Sequence, residues 1–204
     1  MTVPRLAVVL IGHGAPATDC PPQWIGELMS LEWRGEQGHG GHSHDHGGSG
    51  RAAELDAKIR DWPRTPANDP YQAGLTRLAE ALRPLLPTDL FAVGYNEFCR
   101  PSISEVIADV VRQGATRVLV LPTMLTPGGV HSEVDIPRAL EAARRAHPQA
   151  AIEYLWPFDV GQIGALLAQQ VRTADAGSWP AVSAATATGS PGPSSTTAGA
   201  GQAR

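Results

Sequence analysis

The stretch "SISEVIADVVRQGATRVLVLPTM" (residues 102–124) contains a complete helix-to-strand unit and indicates the fold class. Ser102, followed three residues later by Glu105, forms a capping-box pattern that marks the start of a helix. Apolar residues then recur with helical spacing as far as Gly114, a residue type that commonly ends helices. Residues 116–124, "TRVLVLPTM", are short and nearly continuous in apolar side chains, which is typical of a strand buried on both faces of a parallel sheet.

Three further apolar runs have the same character: residues 5–12 "RLAVVLIG", 89–95 "DLFAVGY" and 151–157 "AIEYLWP". A helical pattern follows each of them. The clearest one begins at Asp69, a predicted N-cap, with Pro70 at the first helical position. Another is expected to start near Asp135. Strands and helices that alternate four times predict an α/β fold, a three-layer sandwich with a four-stranded parallel sheet and right-handed crossovers.

Two segments differ from the rest of the chain in composition. Residues 35–50 are rich in Gly and His, and residues 176–204 consist mainly of Ala, Gly, Ser, Thr and Pro. The second segment has too few large apolar residues to offset its ordering entropy, so it is expected to be disordered. The sequence therefore predicts one domain over residues 1–175, with a loop insertion at 35–50, followed by a tail at 176–204.

Composition argues against several classes of function. The formal net charge of −4 gives no electrostatic reason to bind nucleic acid. Cys20 and Cys99 are too far apart for a thiolate metal motif and too few for a disulfide framework, which fits a reducing cytoplasm. No stretch is long and apolar enough to suggest a membrane partner. Neither a G-K-[ST] loop nor a dinucleotide fingerprint is present, so no nucleotide is expected.

Polar residues follow the predicted strands at the edge where ligands bind in open parallel sheets. They are His13 after the first strand, Glu97 after the second, His131, Glu133 and Asp135 after the third, and Asp159 after the fourth. Each has a structural alternative. Either histidine can be a turn residue, Glu97 can favour a helix dipole, and Asp135 is most simply an N-cap. Their convergence nevertheless makes His13 and His131 candidate metal ligands.

The run "GHGGHSHDHGG" (residues 38–48) holds four of the seven histidines: His39, His42, His44 and His46. Such density is typical of metal binding, so these residues form a possible accessory metal site. Catalytic groups need support from packed neighbours, which a Gly-rich loop lacks. The histidine run is therefore expected either to gather metal or to be dispensable.

Two stretches, "IGHGAP" (residues 11–16) and "NEFCRPSISEVIADVVRQGATRVLVLPTMLTPGGVHSEVDIPRALEAARR" (residues 96–145), resemble the class II tetrapyrrole chelatases. The similarity is to the sirohydrochlorin cobaltochelatase and ferrochelatase family, in its short single-domain form. It covers roughly residues 4–30 and 68–172. The long segment between them, with the histidine run, has no counterpart in the short members.

The resemblance implies a chelatase-like fold and an enzyme that inserts Co²⁺, Ni²⁺ or Fe²⁺ into sirohydrochlorin or a related reduced tetrapyrrole. It implies no ATP and no cofactor beyond the metal substrate, in synthesis of cobalamin or a siroheme-type cofactor. By motif position, His13 and His131 correspond to metal-binding histidines and Glu97 to a catalytic carboxylate. Short members also imply a homodimer, for which Trp24, Trp33 and Trp62 are candidate contacts. The alternative is that the segment carrying these residues folds back as a lid and makes a monomer sufficient.

Three further interpretations remain open at this point. Arg100 and Arg138 can pair with carboxylates of the macrocycle or simply be solvated. A non-catalytic metal-binding protein or metallochaperone would use the histidine run instead of the sheet edge. A histidine phosphatase would also place a histidine after the first strand, but Gly12 stands where such enzymes have an arginine.

Overall fold

The computed structural model describes residues 4–38 and 50–178 and contains one four-stranded parallel sheet with the strand order β2-β1-β3-β4. The strands are β1 (Leu6–Gly12), β2 (Phe91–Tyr95), β3 (Arg117–Pro122) and β4 (Ala151–Tyr154). Each lies within a predicted apolar run, and all three pairings are parallel. The α/β prediction with a four-stranded parallel sheet is therefore confirmed.

Helices cover both faces of the sheet. Successive residues of β1 point to opposite faces and therefore pack against different helices. Ala7, Val9 and Ile11 pack in one cluster with residues of α4 (Ile103–Arg112) and α5 (Ile136–Ala146). Val8 and Leu10 pack in a second cluster with Leu75 and Ala79 of α3 (Pro70–Leu82). The result is the predicted three-layer arrangement, with β1 buried at the centre.

Two helix starts follow the sequence signals. The Asp69 side chain accepts a hydrogen bond from the Gln72 backbone at 2.8 Å, with Pro70 at the first helical position of α3. At the start of α4, Ser102 and Glu105 make both hydrogen bonds of a capping box. Because these caps satisfy backbone N–H groups that lack partners within the helix, they fix where each crossover enters its helix.

The segment between β1 and α3 contains two helices, α1 (Pro22–Gly38) and α2 (Gly50–Arg60). The Gly-rich composition of residues 35–50 predicted a loop there, but α1 continues through Gly35 as far as Gly38. The segment has a hydrophobic cluster of its own, whose buried members are Ala17, Cys20, Leu28, Ala52, Leu55 and Ile59. Within this segment Trp24 and Trp62 pack edge to face, with ring centroids 5.7 Å apart, whereas Trp33 is 65% exposed.

By its internal contacts the chain divides into two units, Met1–Val160 and Gly161–Arg204. The described part of the second unit is almost entirely α6 (Val160–Asp175), as the sequence predicted. The histidines at 39, 42, 44 and 46 and most of the predicted tail lie outside the described residues. No helix in the described ranges is both long and apolar enough to cross a membrane.

Candidate metal site

His13, Glu97 and His131 converge at the carboxyl ends of β1, β2 and β3. One potential ligand atom from each lies within 4.8 Å of the other two, and the three side chains are partly exposed. A metal held tetrahedrally at about 2.1 Å separates its ligands by about 3.4 Å, so a small inward movement would complete the site. Three protein ligands leave coordination positions open, as in catalytic rather than structural metal sites.

Backbone hydrogen bonds join the loops that carry His13 and Glu97. The Glu97 N–H donates to the His13 carbonyl at 2.8 Å, and the Asn96 N–H donates to the Gly12 carbonyl at 2.9 Å. Gly14 has φ +94, and a Cβ there would lie 1.9 Å from the Glu97 carbonyl oxygen. Only glycine allows this close approach, so Gly14 sets the distance between the two functional loops.

The two imidazoles lie edge to face, with ring centroids 4.5 Å apart. Each uses Nδ1 for a bond to the protein: that of His13 lies 2.6 Å from the Gly14 carbonyl oxygen, and that of His131 lies 2.8 Å from Asp135 Oδ2. These acceptors place the proton on Nδ1 and leave the lone pair on Nε2. Nε2 of each ring therefore keeps a lone pair with which it could bind a metal.

Glu97 lies between the histidines and is the remaining candidate ligand or base. Its Oε1 is 3.6 Å from His131 Nδ1, and its Oε2 is 4.0 Å from His13 Nε2. The side chain is 17% exposed, so water reaches it only in part. A carboxylate at this position can accept a proton or bind a cation.

Asp135 has a different role from the predicted N-cap, and that prediction is wrong. A π-helical turn, His131–Asp135, leads directly into α5, and the Asp135 side chain makes no cap hydrogen bond. In helical backbone, residues four apart lie on one face, so the carboxylate contacts the His131 ring. Asp135 is 5% exposed, and this buried carboxylate–histidine pair is the arrangement that orients metal-ligating histidines elsewhere.

Changing Asp135 to Asn is expected to weaken Co²⁺ binding about tenfold or more, because an amide holds the His131 tautomer less strongly than a carboxylate. Binding is measured by visible absorption of Co²⁺ titrated into the protein. Asp109→Asn, which affects an exposed partner of Arg112 on α4, serves as the control. Unchanged affinity in Asp135→Asn would show that the carboxylate does not support the ligand.

Two of the carboxylates predicted near the sheet edge do not join the described cluster. Glu133 instead accepts hydrogen bonds from the Gly128 backbone and from Trp156 Nε1, so it braces the loop before His131. Asp159 lies outside the cluster as well.

Cys99 is buried nearby, and burial raises the pKa of its thiol, which contacts the Ala15 carbonyl. A neutral thiol is a poor metal ligand.

The two arginines proposed to meet substrate carboxylates differ in availability. Arg100 already contacts Asp61 and Glu105. Arg138 has a buried Nη1 with no hydrogen-bond partner among the described residues. Both line a cavity of about 430 Å³, together with Asn96 and Asp135. Because Asn96 and Asp135 also contact His131, this cavity adjoins the candidate metal site.

Comparison with known proteins places these features in a family. A sequence model of the CbiX family matches residues 67–174. Sirohydrochlorin cobaltochelatase from Priestia megaterium is 41% identical over 64 residues, which are 31% of this chain and 21% of that protein. The enzyme of the same name from Methanococcus maripaludis is 40% identical over 63 residues, 31% of this chain and 43% of that protein. The matches thus span less than half of each relative.

Solved structures resemble the chain more weakly in sequence. Sirohydrochlorin chelatase SirB from Bacillus subtilis subspecies spizizenii, in complex with cobalt, is 17% identical, with a TM-score of 0.42 over 74% of this chain and 42% of that one. A protein from Marinobacter aquaeolei, described as a cobalamin (vitamin B12) biosynthesis CbiX protein, is 16% identical. Its TM-score is 0.48 over 84% of this chain and 98% of that one. Because the family match covers more than half of the sequence, the chain belongs to the CbiX family.

Proposed function

We propose that this protein inserts a divalent metal ion into sirohydrochlorin or a related reduced tetrapyrrole. The observation that carries the proposal is the cluster of His13, Glu97 and His131 at an open sheet edge. Membership of the CbiX family supports it. So do the relatives, which are named sirohydrochlorin cobaltochelatases.

The chemistry of insertion requires a metal that is held loosely and a base beside it. Neutral imidazoles of His13 and His131 would bind the ion through Nε2, and the remaining coordination positions would accept pyrrole nitrogens. Two pyrrole protons must leave as the metal enters. Glu97 lies between the histidines and would accept one of these protons at its carboxylate, and the other would pass to solvent. As the macrocycle nitrogens replace the imidazoles, the product would be released.

The donor set is compatible with more than one metal substrate. Imidazole and carboxylate ligands suit Co²⁺, Ni²⁺ and Fe²⁺, and selectivity among them depends on geometry and supply more than on affinity. We propose cobalamin or siroheme-type synthesis as the setting and the cytoplasm as the location. Insertion would run without ATP, and the sequence contains no G-K-[ST] phosphate loop. No cofactor beyond the metal is proposed.

The carboxylates of the tetrapyrrole need cationic partners around the site. Arg138 is the better placed of the two candidates, because its Nη1 is buried without a partner in the described structure, whereas Arg100 is already paired. A guanidinium can bind a carboxylate through two parallel hydrogen bonds. We therefore propose that Arg138 contacts one acidic substituent of the macrocycle.

The proposal is tested by anaerobic absorbance spectroscopy of sirohydrochlorin mixed with the full chain and with Co²⁺, Ni²⁺ or Fe²⁺ in turn. The expected result is conversion of the spectrum of the free macrocycle to that of the metal complex, faster than without protein and without ATP. A rate equal to the uncatalysed rate with every metal would refute the proposed function.

Deletion of residues 38–48 separates a chelatase from a metallochaperone that depends on the histidine run. We expect the deleted protein to keep its turnover at saturating metal, because the sheet-edge cluster is untouched. At limiting metal, a lower rate would assign the run to metal gathering. If instead the full chain has no chelatase activity and the deleted protein loses most of the bound metal, the protein is a metal carrier.

We propose that two copies form a homodimer. The sheet edge of one copy can contact a flat macrocycle on one side only. Two apolar residues shortly before His131, Leu125 and Val130, are 39% and 44% exposed and are available for contact with a second copy. A second copy related by a two-fold axis would close the site with an isologous interface. Sedimentation at micromolar concentration should give the dimer mass. A fully active species at monomer mass would rule the dimer out.

A further inference from the structure

Two arginines of the segment between β1 and α3 contact the loop that carries Glu97. Arg60, the last residue of α2, donates from Nη1 to the Cys99 carbonyl at 3.0 Å and from Nη2 to the Asn96 carbonyl at 3.2 Å. Arg64 donates from Nη2 to the Phe98 carbonyl at 2.5 Å. Three carbonyls within residues 96–99 are therefore held by side chains from this segment.

The same arginines are themselves fixed in place. Asp56 accepts from Arg60 Nε through both carboxylate oxygens, at 2.9 and 2.8 Å, which orients the guanidinium towards the loop. Arg64 Nη1 donates to Asp69 at 2.7 Å and to the Ala15 carbonyl at 2.6 Å. Through Ala15 and Phe98, Arg64 thus joins the His13 loop to the Glu97 loop.

The loop needs such support because its backbone is strained. Phe98 has φ +55, in the left-handed region that non-glycine residues rarely occupy. Conformations of this kind persist only where surrounding contacts hold them. Phe98 directly follows Glu97, so relaxation of Phe98 would move the carboxylate relative to the two histidines.

We propose that Arg60 and Arg64 are positioning residues that fix the Glu97 carboxylate relative to the imidazoles of His13 and His131. The inference rests on the proposed function. It assigns a role to α1, α2 and the residues around them between β1 and α3, which supply no ligand to the candidate metal cluster. Neither arginine is among the residues of the candidate metal cluster, so each acts through the backbone of the Glu97 loop.

Arg60 is the better position for a test. Asp69, the partner of Arg64, is 1% exposed, and removing Arg64 would leave a buried charge without its cation, which is strongly destabilising. Asp56, the partner of Arg60, is 24% exposed and can be solvated. Arg60→Met keeps an unbranched, mostly aliphatic side chain and removes both carbonyl contacts. Arg51→Met is the matched control, because Arg51 lies on the same helix and pairs at the surface with Glu27 and Glu54.

The first readout is Co²⁺ binding to the protein without tetrapyrrole, and the second is turnover with sirohydrochlorin. Arg60→Met is expected to lower turnover about tenfold or more and to change the visible spectrum of bound Co²⁺, because a displacement of about 1 Å in a catalytic group can cost a hundredfold. Arg51→Met should match the wild type within about twofold in both measurements, as expected for an exposed ion pair. Unchanged turnover and spectrum in Arg60→Met would overturn the proposal.

A double-mutant cycle with Glu97→Gln shows whether Arg60 acts through Glu97. In the Glu97→Gln background, Arg60→Met should cost less than about twofold, because the group that it positions is already gone. An equal cost in both backgrounds would assign Arg60 a merely structural role. The Co²⁺ spectra keep this test separate from the proposed function: a wild type that binds Co²⁺ without inserting it refutes the chelatase and leaves the positioning test readable.

Discussion

Replacing His131 by alanine is expected to lower the rate of metal insertion by at least about a hundredfold, since loss of a ligand should cost more than loss of the group that supports it. Asp135 orients the His131 ring, because its Oδ2 lies 2.8 Å from Nδ1. Alanine removes the Nε2 lone pair and leaves the metal with His13 and Glu97. Turnover with sirohydrochlorin and Co²⁺ titration are the measurements.

The fold should survive this change, because the His131 side chain is 28% exposed and lies outside the hydrophobic clusters. His147→Ala, which changes a histidine at the end of α5, is the control for removing an imidazole elsewhere. Far-UV circular dichroism of both variants should resemble that of the wild type, whereas the melting temperature of His131→Ala should be lower, because the buried Asp135 carboxylate loses its contact with His131. Turnover of His131→Ala within about threefold of the control would exclude His131 as a ligand.

The fold was predictable where the sequence carries a strong local signal. Four apolar runs separated by helical patterns sufficed for a four-stranded parallel sheet, and the caps at Asp69 and Ser102 marked two helix starts. Strand ends were less certain. The runs at 116–124 and 151–157 extend beyond β3 and β4, because apolar residues continue into the loops where hydrogen-bonded pairing has already stopped.

The missed helix α1 had a usable signal. Trp24, Leu28 and Leu31 recur at spacings of four and three, which is one face of a helix, and all three belong to or pack against the cluster of this segment. The neighbouring Gly-rich composition predicts a loop instead. That α1 and α2 pack together, and that α2 carries Arg60 to the Glu97 loop, are tertiary facts that no local pattern contains.

The candidate site followed from one rule, that parallel strands end at the same edge. It predicted that His13, Glu97 and His131 lie near one another, and in the structure one potential ligand atom from each lies within 4.8 Å of the other two. The role of Asp135 did not follow, because the sequence suggested an N-cap and gave no sign of the π-helical turn that begins at His131. Spacing of i and i+4 was the available signal, and it becomes informative only once both residues are known to be helical.

Replacing Glu97 by glutamine is the second substitution with a large expected effect, and it tells a base from a ligand. Glutamine has nearly the same size and still accepts a hydrogen bond, but it cannot take up a pyrrole proton. We expect turnover to fall about a hundredfold or more, the typical contribution of a positioned base. Co²⁺ affinity should fall by much less, since His13 and His131 keep their Nε2 lone pairs. Glu141→Gln, at an exposed carboxylate on α5, is the control.

The geometry makes the two roles separable. One potential ligand atom of Glu97 lies within 4.8 Å of one from each histidine, so the carboxylate is close enough either to bind the same ion or to take a proton from a substrate held there. A ligand contributes to affinity before tetrapyrrole is present, whereas a base contributes only once protons leave. Equal losses of Co²⁺ affinity and turnover in Glu97→Gln would therefore make Glu97 a third ligand, and solvent would then have to accept the pyrrole protons.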